Sequence, residues 1–157
     1  MKRLPIFLAI LLLAASAIAA TFQEPQQESK GGLIVFFRPK RFTGSGLTPS
    51  IYVDGSQIAR LDNGRYFSLP VPAGKHTIES SMKHSPLELT VRPGEAVYLE
   101  MIILAGNWRG GGRLVPDPPE DAKRSMEKLK PLDAKWILDK RVGFQRELKL
   151  SEPGGGM

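Results

Sequence analysis

Residues 51–80, IYVDGSQIARLDNGRYFSLPVPAGKHTIES, decide the fold of this chain because turn signals divide them into short β-forming runs. Asp54-Gly55 supplies the positive-φ positions that a two-residue hairpin turn needs, and it lies between two such runs. Asp62-Asn63-Gly64 and Pro72-Ala73-Gly74 mark two more turns. The pattern predicts a short strand on each side of every turn.

The flanking sequence continues the β pattern in both directions. Residues 33–37, LIVFF, form a continuous apolar run whose β-branched and aromatic content favours a strand buried on both faces. Apolar and polar residues alternate over residues 87–91 and again over residues 97–103. No helix-length amphipathic run interrupts the strands between about residues 32 and 105, so we expect a mainly β protein, an antiparallel β-sandwich of six to eight short strands.

One short helix is expected after the strands, over about residues 118–130. Asp117 is a suitable N-cap, and Glu120 and Asp121 place negative charge in the first turn. The apolar positions recur at the spacing of one helix face: Ala122, Met126 and Leu129. Residues 142–150 alternate in polarity, and the pattern leaves open whether they add a last strand or stay irregular.

Residues 1–20 are expected to be a signal peptide rather than part of the fold. Lys2 and Arg3 precede an apolar run, and Ala17-Ile18-Ala19 matches the pattern that signal peptidase cleaves. The alternative is an uncleaved anchor over residues 4–20, at the lower limit of spanning length. Residues 21–31 are polar and Gln-rich, which is typical of a flexible leader. We therefore expect export to the periplasm or the extracellular space.

Composition excludes several classes of function. The 157 residues contain no cysteine and 2 histidines, which excludes disulfides, thiolate nucleophiles, iron–sulfur clusters and a lipoprotein anchor. The formal charge is +6, and residues 123–149 hold 9 basic against 4 acidic side chains. We expect residues 132–157 to be a basic C-terminal segment with a disordered end, and residues 123–149 to make weak contact with an anionic surface. Nucleic acid is not an expected partner of an exported protein.

Residues 51–80 also carry a resemblance to a known family. Y-V-D-G over residues 52–55, followed by G-x-Y-x-x-x-x-V-P-x-G-x-H over residues 64–76, is similar to the core of PEGA-like domains. More closely, the chain resembles an uncharacterised family of small exported bacterial proteins with that core. The resemblance covers residues 32–131. It implies a transthyretin-like or peptidase-regulatory-like β-sandwich with a helical appendix, and an extracellular binding module with no established activity.

No catalytic or metal site is predicted. His76 and His84, with a nearby glutamate, are the residues that most resemble a three-ligand metal set. If both histidines lie at strand ends, they are about 20 Å apart at a rise of about 3.3 Å per residue, too far to share a metal ion. Gly44-Ser45-Gly46 lacks the spacing of a nucleophile elbow, and Gly110-Gly111-Gly112 lacks the lysine of a phosphate loop. We therefore expect no cofactor.

Ligand binding is predicted for Trp108, Arg109 and Arg113. These residues lie in a Gly-rich stretch, residues 106–113, that we expect to be irregular. An exposed tryptophan between two arginines stacks on sugar rings or aromatic groups, or holds an anionic polymer. The alternative is a connecting loop whose tryptophan packs into the core.

Taken with the expected export, these features predict a non-catalytic binding or structural module of the bacterial cell envelope, with an envelope protein or a polysaccharide as its partner. The alternative is an envelope hydrolase or an enzyme inhibitor, and a hydrolase requires a pocket where acid, base and polar groups converge. A third hypothesis is attachment to anionic membranes. Salt would then release the protein, and Lys/Arg→Gln changes within residues 123–149 would abolish attachment.

Overall fold

The computed structural model describes residues 31–81, 86–104 and 111–147 of the chain. Within these residues the protein is mainly β, with two sheets and one α-helix. The elements are β1 (Gly32–Phe37), β2 (Ser50–Val53), β3 (Ser56–Arg60), β4 (Arg65–Val71), β5 (Gly74–Ser80), β6 (Leu87–Val91), β7 (Ala96–Leu104), β8 (Gly111–Asp117), α1 (Pro119–Met126), β9 (Lys130–Pro131) and a 3-10 turn (Ala134–Trp136).

The two sheets have five and four strands. The larger sheet has the order β8-β7-β1-β4-β9, and the smaller has the order β3-β2-β5-β6. The smaller sheet is antiparallel, but β1 runs parallel to β7 and β4 runs parallel to β9 in the larger one. The expectation of an antiparallel fold is therefore wrong for the larger sheet. All four strands of the smaller sheet lie between β1 and β7 in the sequence. This long connection lets β7 return beside β1 in the same direction.

Strand β1 is buried along its whole length, as the apolar run predicted. Ile34 and Phe36 join a core cluster that takes apolar side chains from both sheets, and Phe36 stacks on Phe67 with ring centroids 4.8 Å apart. Leu33, Val35 and Phe37 join a second cluster, which also contains residues of α1. Both faces of β1 are thus covered, one by the smaller sheet and the other by the helix.

Helix α1 packs on the larger sheet through Ala122 and Met126. It is shorter than the predicted 118–130, because the backbone N–H of Glu127 donates to the Arg124 carbonyl and tightens the last turn. Leu129 still reaches the same core, although it lies beyond the helix.

Residues 132–147, called the C-terminal strap here, lie along one edge of each sheet. Ile137 forms a β-bridge with Ala59 on β3, and Gly143 exchanges two backbone hydrogen bonds of 2.8 Å with Ser68 on β4. The described part of residues 142–150 therefore contributes a single bridge rather than a last strand. The basic segment is held against both sheets through residue 147.

Several predicted segments lie outside the described residues: the signal peptide of residues 1–20, nearly all of the leader of residues 21–31, and the end of the chain from residue 148. Among the described residues, no helix combines the length and hydropathy that a membrane span requires.

Candidate functional site

The predicted ligand residues are not brought together in the described part of the chain. Trp108 and Arg109 lie outside the described residues. Arg113 is on β8, where it pairs with Ile102 of β7 and has an exposed side chain. The prediction of an irregular stretch is wrong for residues 111–113, because pairing with β7 supplies backbone hydrogen bonds that glycines make as well as other residues do.

The two ends of the fold, taken along the direction of β1, differ in their polar side chains. We call the end where β1 begins the clasp end; Gly32 lies there beside Val91, which pairs with Gly74 at the start of β5. We call the end where β1 finishes the Phe42 end; it carries the connection from β1 to β2.

His76 lies at the clasp end with both ring nitrogens bonded. Its Nδ1 is 2.8 Å from Asp54 Oδ2 and its Nε2 is 2.9 Å from the Pro72 carbonyl oxygen, and the residue is 8% exposed. Both partners are acceptors, and a neutral imidazole donates only one hydrogen bond. The geometry therefore fits a doubly protonated His76, with a positive charge that Asp54 balances.

Asp54 connects the first hairpin to β5. It occupies the turn with a φ of 50°, its Oδ1 accepts from the Thr77 N–H at 2.9 Å, and its own N–H donates to the Thr77 carbonyl at 2.8 Å. We call Asp54, His76 and Thr77 the clasp. It explains why the aspartate and the histidine of the sequence motif occur together.

The pKa values of the clasp residues follow from these contacts. Burial acts to lower the pKa of His76, but its bonds to Asp54 and Pro72 and the charge of Asp54 outweigh burial and raise that pKa. Burial acts to raise the pKa of Asp54, but its bonds to His76 and Thr77, with the charges of His76 and Arg141, hold that pKa below its ordinary range. Each shift stabilises the charged form of the residue.

His76 has no ring nitrogen free to bind a metal ion or to act as a base. Within residues 31–81, 86–104 and 111–147, no three histidine, aspartate or glutamate side chains are grouped to hold a metal ion. His84 lies outside these ranges. What the clasp does chemically is to close a turn.

Arg38 at the Phe42 end is a second buried cation. It is 2% exposed, and its guanidinium donates to the carbonyls of Leu47 at 2.5 Å and Gly44 at 2.6 Å, with a longer contact of 3.4 Å to Leu61. Burial lowers the pKa of Arg38, and the charge of Asp62 opposes that shift. Arg38 thus holds the following loop by its backbone.

Residues 39–49, called the Phe42 loop here, have a well-defined backbone. Internal hydrogen bonds run from Ser45 N to the Phe42 carbonyl and from Leu47 N to the Gly44 carbonyl. Gly44 has a φ of 74°, and a Cβ there would lie 2.6 Å from Ile103 Cγ2, so glycine is required for two reasons. The fold positions this loop against the end of β7.

Arg41 fastens the loop to the β3–β4 turn. Its N–H donates to Asn63 Oδ1 at 3.1 Å, and its carbonyl accepts from Asn63 Nδ2 at 2.8 Å. Its guanidinium forms an ion pair of 3.3 Å with Glu100. Burial raises the pKa of Glu100; Arg41 opposes that shift and Asp117 adds to it.

Phe42 is 96% exposed, although the backbone around it is fixed on both sides. The other large apolar side chains exposed in the described residues are far less so, between 41% and 56%: Leu104, Leu138 and Phe144. A phenyl ring in water exposes an apolar area that burial elsewhere would remove at a favourable free energy. Phe42 is therefore the most available apolar contact in the part of the chain that the structure describes.

Two lysines lie beside the Phe42 loop. The Lys40 side chain packs against Gly64, and the backbone N–H of Lys130 donates to the Gly64 carbonyl at 3.2 Å. Both lysines are exposed, and neither forms an ion pair with another described residue. The Phe42 end thus combines one exposed phenyl ring with unpaired positive charge.

Part of the predicted basic surface of residues 123–149 is paired with acidic side chains in the fold. Lys123 faces Glu120 and Glu147, and Arg124 faces Asp121. Three further basic side chains are held in the strap: Lys135 over the Trp136 ring, Arg141 on Asp139, and Arg146 over the Tyr66 ring. The segment does not present one continuous basic face in its described part.

Neither Arg38 nor Phe42 was among the residues predicted to be functional. Arg38 follows the apolar run in the same alternation as Ile34 and Phe36, which places its side chain on the core side. Phe42 follows two basic residues in a stretch without strand pattern. Those two signals were present in the sequence, but propensity alone does not distinguish them from an ordinary loop.

Comparison with known proteins finds one family. A family model described as "Protein of unknown function (DUF2846)" matches residues 28–112, more than half of the chain. The matched region includes the clasp and the Phe42 loop, whereas α1 and the C-terminal strap lie beyond it. No curated protein and no solved structure matches the chain.

Proposed function

The chain belongs to the DUF2846 family, and we propose that it is an exported, non-catalytic binding or structural module of the bacterial cell envelope. In this proposal residues 1–20 are a cleaved signal peptide, and the protein works in the periplasm or outside the cell without a lipid anchor. The described sheets form a PEGA-like β-sandwich whose loops carry the function.

The exposure of Phe42 is the observation that carries the proposal. A loop that is disordered in the free protein pays conformational entropy when it binds, whereas a loop held by Arg38 and Asn63 has paid it in folding. An aromatic side chain on such a loop supplies a large contact area with few torsions to fix. This combination supports recognition of a partner through Phe42.

One feature supports the sandwich arrangement. Apolar side chains from β1 and β4 of the larger sheet join those of β2, β3 and β5 of the smaller sheet in a single core cluster. Two sheets that share one apolar layer are the usual composition of a sandwich. The parallel pairing of β1 with β7 departs from an all-antiparallel sandwich, but it leaves the shared apolar layer between the two sheets unchanged.

An enzyme inhibitor is the second candidate function. A loop with a fixed backbone and one fully exposed aromatic side chain is suited to enter a cleft, which favours an inhibitor over a hydrolase. The bonded state of both His76 nitrogens gives the hydrolase alternative no support.

The test is capture of envelope components by the purified mature protein, compared with Phe42→Ala and with Phe144→Ala as the matched control. We expect Phe42→Ala to lose captured material that Phe144→Ala retains, because Phe144 lies in the strap and is 44% exposed. Equal capture by all three proteins would remove the proposed contact. Cell fractionation and N-terminal sequencing test export, with a mature N-terminus expected at Ala20 or Thr21.

A further inference from the structure

We propose that the partner of the Phe42 end is an anionic lipid bilayer, with Phe42 entering the interface and Lys40 and Lys130 facing the headgroups. This inference rests on the proposed function, since it names the partner of the same surface.

The shape of the Phe42 loop fits a bilayer. Phe42 is 96% exposed, so the side chains of the described residues form no groove around it that would take a peptide or a sugar. A soft planar surface accepts a single protruding ring, because lipid tails rearrange around it. Arg38 and Asn63 hold the backbone behind the ring, so insertion leaves the fold unchanged.

The chemistry of the neighbouring side chains fits anionic headgroups. Lys40 and Arg41 directly precede Phe42, and the backbone N–H of Lys130 donates to the carbonyl of Gly64, against which the Lys40 side chain packs. An apolar side chain flanked by cations is the composition that binds anionic membrane surfaces, because ring burial and headgroup attraction add. Arg41 is held by Glu100, so the two lysines supply the free charge.

The first described residue of the chain lies away from the Phe42 end. Gly31, where the described chain begins, bonds to Gly94 at the clasp end. Gly31 therefore lies at the opposite end of β1 from Phe42. Lys75 lies on β5 at the clasp end, and Lys140 is near that end because it adjoins Arg141, whose charge acts on Asp54. Both lysines are exposed, so they provide matched controls away from Phe42.

The experiment is co-sedimentation of the mature protein with vesicles of phosphatidylcholine alone and with roughly 30% phosphatidylglycerol. We expect binding to the anionic vesicles only, weakened as salt rises from about 0.05 to 0.5 M. Phe42→Ala should lower the partition coefficient about tenfold, and Phe144→Ala should leave it unchanged. Lys40→Gln with Lys130→Gln should lower it more than Lys75→Gln with Lys140→Gln.

A second measurement reports insertion directly. Phe42→Trp should retain binding, and its added fluorescence should shift to shorter wavelength with anionic vesicles and not with neutral ones. Thermal unfolding of each variant confirms that the fold is retained, which we expect because Phe42 and both lysines are exposed.

The lipid inference and the proposed function fail in different ways. If wild-type protein ignores anionic vesicles while Phe42→Ala still loses capture from envelope extract, the lipid inference is wrong and the binding module stands with a protein partner. If Phe42→Ala changes neither vesicle binding nor capture, both are wrong. Vesicle binding that the lysine variants keep but Phe42→Ala loses would overturn the role of charge.

Discussion

The clasp end and the Phe42 end each contain a buried cation, but the two cations have opposite effects on exposure. At the clasp end, His76 bonds a carboxylate and a carbonyl, and the turn that it closes exposes no large apolar side chain. At the Phe42 end, Arg38 bonds carbonyls, and the loop that it holds projects Phe42 into solvent. A buried cation therefore closes a turn at the clasp end, whereas at the Phe42 end it holds a loop that exposes an aromatic side chain.

The difference in ion type has a further consequence. Arginine stays protonated at every physiological pH, so the bonds that Arg38 makes to the Phe42 loop do not depend on pH. Histidine titrates near neutrality, so the clasp does. The contributions of the two ends to stability should therefore respond differently when pH is varied or when one cation is removed at a time.

The largest effect is expected for Arg38→Ala. Removing the guanidinium leaves the buried carbonyls of Gly44 and Leu47 without a donor, which should cost about 2–4 kcal/mol in the free energy of unfolding. Urea denaturation measures the loss. Arg41→Ala is the control, since its side chain is 62% exposed and its loss should cost less than about 1 kcal/mol. Similar losses for both variants would show that Arg38 does not order the loop.

Two glycines with similar backbones test the packing of the ends. Gly44 and Gly55 have φ values of 74° and 77°, but a Cβ meets Ile103 at Gly44 and nothing within 4 Å at Gly55. Gly55→Ala should cost about 1 kcal/mol from its backbone, and Gly44→Ala about 2 kcal/mol, because Ile103 must also move. Thermal unfolding of both variants measures the difference. Equal losses would contradict the close packing of the Phe42 loop on β7.

A smaller effect is expected for Asp54→Asn, which keeps a residue suited to positive φ but removes the charge. Its side chain is 53% exposed, so loss of the charged bond to His76 should lower the free energy of unfolding by about 1 kcal/mol after allowance for solvent screening. Urea denaturation at pH 6 measures the change, and Asp117→Asn is the control, since its carboxylate forms no ion pair with another described residue. A control that loses as much as Asp54→Asn would contradict the clasp.

The smallest effect is the pH dependence of the clasp. His76 has a pKa raised above its ordinary value of 6.5, so its contribution to stability is complete below that pH and is lost as pH rises through the folded-state pKa. Asp54 has a pKa lowered below its ordinary 3.8, so its contribution is present above that pH and is lost as pH falls through the folded-state pKa. In His76→Gln, the free energy of unfolding, measured by urea denaturation at a series of pH values, should change less between neutral and alkaline pH than in the wild type. An unchanged slope there would contradict a charged His76.

Much of the β architecture was predictable because turn chemistry is local. Asp54-Gly55 does form the hairpin between β2 and β3, and residues 33–37 are buried on both faces. Strand direction was not predictable, since alternation of apolar residues is the same in parallel and antiparallel sheets. Helix α1 was found but placed too long, because the tightened turn at Glu127 carries no propensity signal.

The candidate site was much less predictable than the fold. Trp108, Arg109 and Arg113 were chosen because aromatic and basic residues in a Gly-rich stretch are typical of contact loops, and the structure describes Arg113 alone, on a strand. Phe42 has the same composition signal, with two basic residues before it and glycines after it. Only its exposure distinguishes it, and exposure depends on how the loop is packed.

By itself, the sequence determined the positions of the turns and the strand that is covered on both faces, because each depends on the backbone preferences and the polarity of neighbouring residues. The tertiary structure alone decided that β7 returns parallel to β1, that the strap lies along an edge of each sheet, that the Asp54 turn meets His76, and that Phe42 stays in solvent. Those outcomes depend on contacts between residues far apart in the chain, and no local preference encodes them.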